Sequence, residues 1–477
     1  MRTKTPFLLF SCSLLLLFTS YSSGENSTDA KPNVLFIAVD DLNDWVGYLG
    51  GHPQAETPHI DALAASGTAF VNSYCPAPVC GPSRTALMYG LAPHRSGSYG
   101  HHASYNPRKL IAEDQLPLNL VFQQNGYHTA GCGKIFHYRE ERGWDHYRGH
   151  IGGMVSQNRK RFGGLSCGIL DTNDDSDTQD GQLTDWAIEQ LNRGHEKPFF
   201  IALGLKKPHL PWEAPKKYFE RFESEDVQLP HVPDNDLEDL PVIGKLFANA
   251  LVGFRSPADH ETVTKIPGAW KELVRAYLAT CTFADANVGR ILDALENSPH
   301  RDNTIVVLWG DHGWHLGEKK HWRKMSLWER GTRTPFIIKV PGGEPARIEA
   351  PVSLQDIFPT LVDLCQLELE QQVDGNSLVP LLQTPSMAWD KPVLMSHGPG
   401  NFAVRHGPWR LIRYADGGEE LYHLGKDPGE YENLAIHPGR EATRATLRAH
   451  IPESWRYVMG PRFKKFSEAF SPPVTGE

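Results

Sequence analysis

The residues of this chain that could do chemistry come in pairs and short clusters. Cys80 stands in "VCGPSRTALMYG" (79–90), followed at once by Gly81, Pro82, Ser83 and Arg84. A cysteine that only fills a core needs none of those neighbours, whereas a reactive one at a helix N-terminus gains from an end that favours developing negative charge. Asp40 and Asp41 are adjacent, as are Asp311 and His312. Neighbouring carboxylates repel unless something neutralises them, and their oxygens favour a hard cation such as calcium or magnesium. For either pair alone, capping of the following turn is at least as good an account. Two such pairs favour the metal. Lys134 and His137 lie in "GKIFH"; alone, a surface lysine and a turn histidine is the simpler reading. "KKPHLPW" holds His209 in a proline-bounded turn, and "KHWRKMS" offers Lys320, Arg323 and Lys324, of which most are expected to be solvated. Cations converging on a metal centre would suit an anionic substrate group.

These residues recur at one kind of place. "NVLFIAVDD" is a continuous apolar run ending in Asp40 and Asp41, as a buried strand would be. "TPHIDALAASG" predicts a helix with Thr57 as N-cap, Pro58 at its first position and Gly67 beyond its end. The alternation continues: a helix through "LNLVFQQNG" before a strand near 127–131, a helix through "LTDWAIEQLNRG" before "PFFIALGL", a long amphipathic segment before "NTIVVLWGDHG", and "TPFIIKV" before "SLQDIFPTLVDLC". Strands alternating with helices predict an α/β domain with a large, mostly parallel sheet between helices. In such sheets ligands gather beyond the carboxyl ends of the strands, where Asp40, Asp41, Lys134, His209, Asp311 and His312 all fall. After about residue 385 the texture changes to short aromatic and β-branched runs, which predicts a smaller C-terminal antiparallel sheet. The division expected is 1–24, 25–385 and 386–477. "DTNDDSDTQDGQ" from Asp171 lacks the glycine and glutamate of a calcium loop, holding Ser176 and Gln182 there, and reads as a solvated acidic loop.

At 477 residues, with 40% hydrophobic and 22% charged content, the chain is an ordinary globular protein of two domains by length. A formal charge of −9 argues against general nucleic-acid binding. Arg2, Lys4 and the apolar "FLLFSCSLLLLF" (7–18) read as an export signal, too short to anchor across a bilayer about 30 Å thick. No other segment is long enough to span a membrane, so the expected location is periplasmic or extracellular, or lysosomal in a eukaryote. Six cysteines remain after residue 24, without metal-site spacing; a Cys75–Cys80 bridge is conceivable in an oxidising compartment.

"CGPSR" matches the C-x-P-S-R signature of type I sulfatases, and the resemblance spans nearly the whole chain after residue 24. The Asp40–Asp41 strand end, "GKIFH", "KKPHLP", "GDHGWHLGE" and the tail "LYHLGKDPGEYENLA" follow in family order. His312 after the aspartate, "KPHLP" and "SLQDIFPTL" liken it to the branch of iduronate-2-sulfatase and its bacterial relatives. The resemblance implies an alkaline-phosphatase-like fold and conversion of Cys80 to Cα-formylglycine by a separate formylglycine-generating enzyme that reads Pro82, Ser83 and Arg84. The hydrated aldehyde would attack sulfur, expel the substrate alcohol, and then release sulfate as the aldehyde re-forms. By position, Asp40, Asp41, Asp311, His312 and the modified Cys80 resemble the ligands of a divalent metal, Ca2+ before Mg2+. Arg84 resembles the residue that steadies the diol, and Lys134 and His137 those that contact it, with His137 a base for the elimination. His209 and Lys324 resemble the sulfate-binding pair, one of which protonates the leaving oxygen. The chain departs from the family at Met88, Tyr89, Gly90 and Leu91, where L-T-G-R is usual and only the glycine survives. The loop 91–110, with Arg95, His101 and His102, is expected to shape substrate choice, although exposure to solvent explains those residues equally well.

The implied activity is hydrolysis of sulfate esters on an anionic sugar, a glycosaminoglycan or another sulfated polysaccharide fragment. A phosphate or phosphonate ester hydrolase of the same superfamily is the alternative, since sulfuryl and phosphoryl groups share a tetrahedral shape. A non-catalytic glycan-binding protein is a third reading, disfavoured by the complete set of charged site residues.

Overall fold

The computed structural model describes residues 31–149, 151–249 and 258–458, so the export signal read at 1–24 lies outside the described residues. The apolar run after Pro32 forms β1 (Asn33–Val39), buried at every position. Its side chains alternate between two cores: Leu35, Ile37 and Val39 enter one, Val34, Phe36 and Ala38 the other. That is the pattern of a strand covered on both faces. The further strands are β2 (Thr68–Phe70), β3 (His128–Gly133), β4 (His146–Arg148), β5 (Phe199–Leu205), β6 (Thr304–Gly310), β7 (Phe336–Lys339) and β8 (Ala346–Ile348). They build an eight-stranded sheet in the order β8-β2-β7-β6-β1-β5-β3-β4. β6, β1, β5, β3 and β4 run parallel. β7, the "TPFIIKV" segment, is antiparallel to both its neighbours.

The helices that cover the two faces of this sheet include α1 (Pro58–Ser66), α2 (Cys80–Tyr89), α3 (Leu118–Gln124), α4 (Gln179–Leu191), α5 (Ala269–Glu296) and α6 (Ile357–Leu364). Apolar residues of α1, α4 and α5 fill the first core, and those of α2, α3 and α6 fill the second. One cap differs from expectation. Thr57 precedes α1, but its hydroxyl accepts the Gly47 amide and does not cap the helix. The first-turn amides of His59 and Ile60 donate instead to Asp285 of α5, at 3.2 and 2.8 Å. Packing α1 on α5 supplied a better acceptor than the local hydroxyl.

The parallel register brings the strand ends level. Val39 lies opposite Gly310 and Leu205, and Gly133 opposite Gly204. Asp40, Lys134, the turn 206–211 and Asp311 therefore leave the sheet at one edge.

The C-terminal part forms β9 (Val393–Ser396), β10 (Phe402–His406), β11 (Trp409–Arg413) and β12 (Glu419–His423), an antiparallel sheet in chain order. Its inner face packs Met395, Ala403, Ile412 and Tyr422 against Tyr74, Leu327 and Trp328. The tail motif adds a polar tie. Glu430 accepts the Glu329 amide at 2.7 Å, and its carbonyl accepts from Lys319, which also pairs with Asp236 at 2.7 Å. The loop carrying Lys324 is thereby fixed from both sides.

Candidate active site

Cys80 is the first residue of α2 and is fully buried. Its sulfur lies 3.2 Å from Lys324 Nζ, 3.2 Å from His312 Nε2 and 3.6 Å from Asp41 Oδ1. Burial opposes ionisation of the thiol, but Lys134, Lys324 and His312 outweigh it and hold its pKa well below the usual range. No Cys75–Cys80 bridge forms; both are unbridged thiols. Arg84, one turn along α2, uses its whole fork: Nε donates to Asp311 at 2.9 Å, Nη2 to Asp40 at 3.2 Å, and Nη1 to the carbonyls of Lys134 and Ile135. Ser83 donates to the Asp311 carbonyl at 2.5 Å. The signature helix is therefore bonded to three strand ends at once.

Among the carboxylates, Asp40 pairs with Lys134 and Arg84, and Asp41 with Lys324 at 2.5 Å. Burial would raise the pKa of Asp40, yet Lys134, His209 and Arg84 hold it below the ordinary carboxylate range. Burial prevails at Asp311, pushed up to about 7 against the pull of His312 and Arg84. Two observations fit a bound cation. Asp41 Oδ2 is buried with no hydrogen-bond partner. His312 Nδ1 faces the Gly313 carbonyl at 2.9 Å, so the ring proton belongs there. Nε2 then faces Asp41 Oδ1 at 3.2 Å and Asp311 Oδ1 at 3.5 Å. Burial disfavours an imidazolium, but Asp311 and the Cys80 sulfur outweigh it and push His312 up to about 10. With both ring nitrogens then protonated, His312 itself supplies the positive charge that Asp41 and Asp311 call for, and a cation held there would take the place of its Nε2 proton. Ligand atoms of Asp41, Cys80, Asp311 and His312, and those of Asp40, Asp41, Cys80 and His209, lie within 4.8 Å of one another, and either set could hold a metal. Asp41 itself sits at φ +61°, a conformation non-glycine residues adopt rarely and most often where function holds them.

The remaining sequence-predicted residues also converge. His209 Nε2 is 3.8 Å from Asp41 Oδ2, and its Nδ1 lies 2.6 Å from the Leu210 carbonyl. Burial lowers its pKa, partly offset by Asp41 and Asp40. Lys324 is buried over the Trp314 ring, 4.9 Å from its centroid. The expectation that most of the "KHWRKMS" cations are solvated fails. Arg323 pairs with Asp259 at 2.7 Å and Lys320 donates to the Asp234 carbonyl at 2.6 Å, because the loop folds back onto the protein. Arg95 is not at the site; it pairs with Asp374. Sequence reasoning read Asp180 as part of a solvated acidic loop, but it lies in the first turn of α4, is buried, and accepts the Lys206 and Lys207 amides at 3.0 and 2.8 Å, setting the turn that bears His209. The same reasoning missed Tyr277 of α5, which donates to the Asp41 carbonyl at 2.8 Å. Neither has a local signal; both act from distant elements. The site opens into a cleft of about 540 Å³ lined in part by Lys134, His137, Met154, Lys206, Lys207 and His209.

A carboxylate-rich centre beside a buried thiol, ringed by cations at the carboxyl edge of a mixed α/β sheet, is the arrangement of a hydrolase of the alkaline-phosphatase-like fold. Comparison with known proteins narrows this. A family model described as sulfatase matches residues 32–367, and one described as N-sulphoglucosamine sulphohydrolase, C-terminal, matches 317–456. A sulfatase of Formosa agariphila is 37% identical over 95% of this chain and 92% of its own length. The iduronate 2-sulfatase of Mus musculus is 30% identical over 75% of this chain and 67% of its own. In structure, a phosphonate monoester hydrolase of Agrobacterium radiobacter is similar at a TM-score of 0.75, with 20% identity, over 88% of this chain and 96% of that one. A protein solved in complex with its substrate D-glucosamine-2-N,6-O-disulfate is similar at 0.70, with 23% identity, over 88% and 96%. The chain belongs to the sulfatase family and is a sulfuric ester hydrolase.

Proposed function

We propose that this chain is an exported sulfatase that removes sulfate esters from an anionic sugar, an iduronate-2-sulfate-like unit of a glycosaminoglycan or another sulfated polysaccharide fragment. The observation that carries the reading is the placement of the Cys80 sulfur within 3.6 Å of Lys324, His312 and Asp41 at once. Cys80 converted to Cα-formylglycine by a formylglycine-generating enzyme would supply the oxygen nucleophile there. Asp40, Asp41, Asp311 and His312 would hold a divalent cation, Ca2+ before Mg2+, which would lower the charge on the transferring group. Three carboxylates from the protein suit calcium, which takes many oxygen ligands, better than magnesium, which keeps its waters. Arg84 fixes the positions of Asp40 and Asp311. Lys134 contacts the hydrated aldehyde, His209 and Lys324 bind the sulfate oxygens, and one of that pair, through His209 Nε2 or Lys324 Nζ, gives the leaving oxygen its proton. His137 takes the proton when sulfate is released. The parts 25–385 and 386–477 are proposed as catalytic and C-terminal subdomains, and the location as periplasmic, extracellular or lysosomal. Among the described residues no helix is long and apolar enough to cross a membrane.

The test is mass analysis of the peptide containing Cys80 in natively produced protein, together with sulfate release from a panel of defined sulfated sugars. An unmodified cysteine in active protein would overturn the mechanism. The likeness in fold to a phosphonate monoester hydrolase supports one alternative. Faster turnover of phosphonate esters than of sulfate esters would establish it.

A further inference from the structure

His101 lies on the loop between α2 and α3, far from any part of the signature in sequence, and yet it touches the signature. Its Nε2 accepts the backbone amide proton of Gly81 at 3.2 Å, which places its own ring proton on Nδ1. Its ring stacks on His137, with centroids 4.0 Å apart and planes 10° apart. Ligand atoms of Cys80, His101 and His137 all lie within 4.8 Å of one another. The loop is tied to the same segment from the other side, since Tyr138 donates its hydroxyl to the carbonyls of Gly100 at 3.0 Å and His102 at 3.1 Å.

A functional histidine is ordinarily oriented by a hydrogen bond on the ring nitrogen that does not face the reaction. At His137, Nδ1 is buried without a hydrogen-bond partner, so no hydrogen bond at that nitrogen orients the ring. What fixes the plane of this ring is contact, with His101 flat against one face and Tyr138 edge-on at 5.2 Å. The signature accommodates that contact. A Cβ at residue 81 would stand 3.1 Å from His101 Cδ2 and 3.2 Å from the Gly100 carbonyl oxygen, so Gly81 and His101 fit as a pair.

We infer that His101 is a positioning residue for the reaction: anchored on the Gly81 amide, it sets the plane of His137 beside residue 80. This deepens the proposed sulfatase reading and rests on it. The role is in turnover and not in substrate selection, because His101 acts through His137.

The experiment compares His101→Ala, His101→Phe and Gly81→Ala, alone and in the double variant Gly81→Ala/His101→Ala, all as full-length protein. The modification state of residue 80 is read by mass for each variant, and kcat and KM are measured on one sulfate ester that the wild type turns over. His101→Ala is expected to lower kcat on the order of 10- to 100-fold, as for misplacement of a reacting group by about an ångström, with KM within about threefold. His101→Phe keeps the stack but loses the Gly81 anchor, and is expected to fall between His101→Ala and wild type in kcat. Gly81→Ala is expected to impair turnover in the presence of His101 and to add little in its absence. Wild-type kcat in a fully modified His101→Ala protein would overturn the inference. So would an effect confined to KM, or a His101→Phe variant as slow as His101→Ala. If His101→Ala does not fold, Gly81→Ala decides the matter, because wild-type kcat in a fully modified Gly81→Ala protein would also overturn the inference. Absence of modification or turnover in the wild type would instead count against the proposed function.

Discussion

Arg84 shows how much one side chain can organise. It is fully buried and satisfies two carboxylates and two carbonyls from three different strand ends. Lysine carries the same charge without the planar fork, so Arg84→Lys leaves buried oxygens without donors. The expected result is a loss of about 3–5 kcal/mol in unfolding free energy, read by denaturant titration, together with near-complete loss of turnover. His209 presents a different test. If its Nε2 protonates the leaving oxygen, His209→Ala should slow a sugar sulfate about 10²- to 10⁴-fold and a nitrophenyl sulfate much less, because nitrophenol leaves without help. Equal losses on both substrates would remove that role. Most of these residues were legible from sequence only in combination, because either acidic pair alone reads equally well as a turn cap, and their separate roles came from the resemblance. Asp180 and Tyr277 were not, and His101 was read only as a candidate for substrate choice, since each works through backbone groups that the folded chain brings near.

Among the elements, the ends of β3 and β5 explain the position of Lys134. Gly133 sits at φ +69°, where a side chain would meet the Gly204 carbonyl oxygen at 2.1 Å, and a side chain on Gly204 would meet the Lys134 backbone at 2.3 Å. Gly133→Ala should therefore both destabilise the protein, visible as a lower melting temperature, and cost activity by displacing Lys134. The C-terminal end of α2 has its own device. Gly90 caps the helix at φ +68°, and Tyr89 donates to Glu140 at 2.7 Å beside Arg108 and Arg142. Met88 and Tyr89, which depart from the family pattern, are thus both core residues of this fold, and the cap is Gly90. Burial would raise the pKa of Glu140, but Arg142, Arg108 and Tyr89 hold it down at about 2. A depressed acid stabilises the fold above its unfolded value and loses that contribution as pH falls towards the folded one. Between about pH 4.5 and 2, wild type should lose stability more steeply than Glu140→Gln. The helix–strand alternation was readable for the same reason as the site: long periodic segments declare themselves. The reversed β7 and the Asp285 cap were not, because both depend on what the element meets after it folds.

At the scale of the whole molecule, a chain of formal charge −9 carries a cleft lined by Lys134, Lys206 and Lys207. Attraction of an anionic substrate is therefore local, and kcat/KM should fall as salt rises from low to physiological strength while kcat holds. Cation removal is the complementary test: a chelator should lower the melting temperature, and calcium at about 100 times its dissociation constant should restore about 2.7 kcal/mol. Finally, every residue of α2 from Cys80 to Tyr89 is buried. If Cys80 is oxidised by a separate enzyme as proposed, that enzyme would lose access once the chain has folded, and maturation and folding would run as a race with a single winner. Each folded molecule then preserves the outcome, and a preparation made with too little modifying enzyme is a fixed mixture that later addition of that enzyme does not repair. Incubating folded, unmodified protein with the modifying enzyme should leave residue 80 unchanged, while a free peptide spanning 75–95 should be converted.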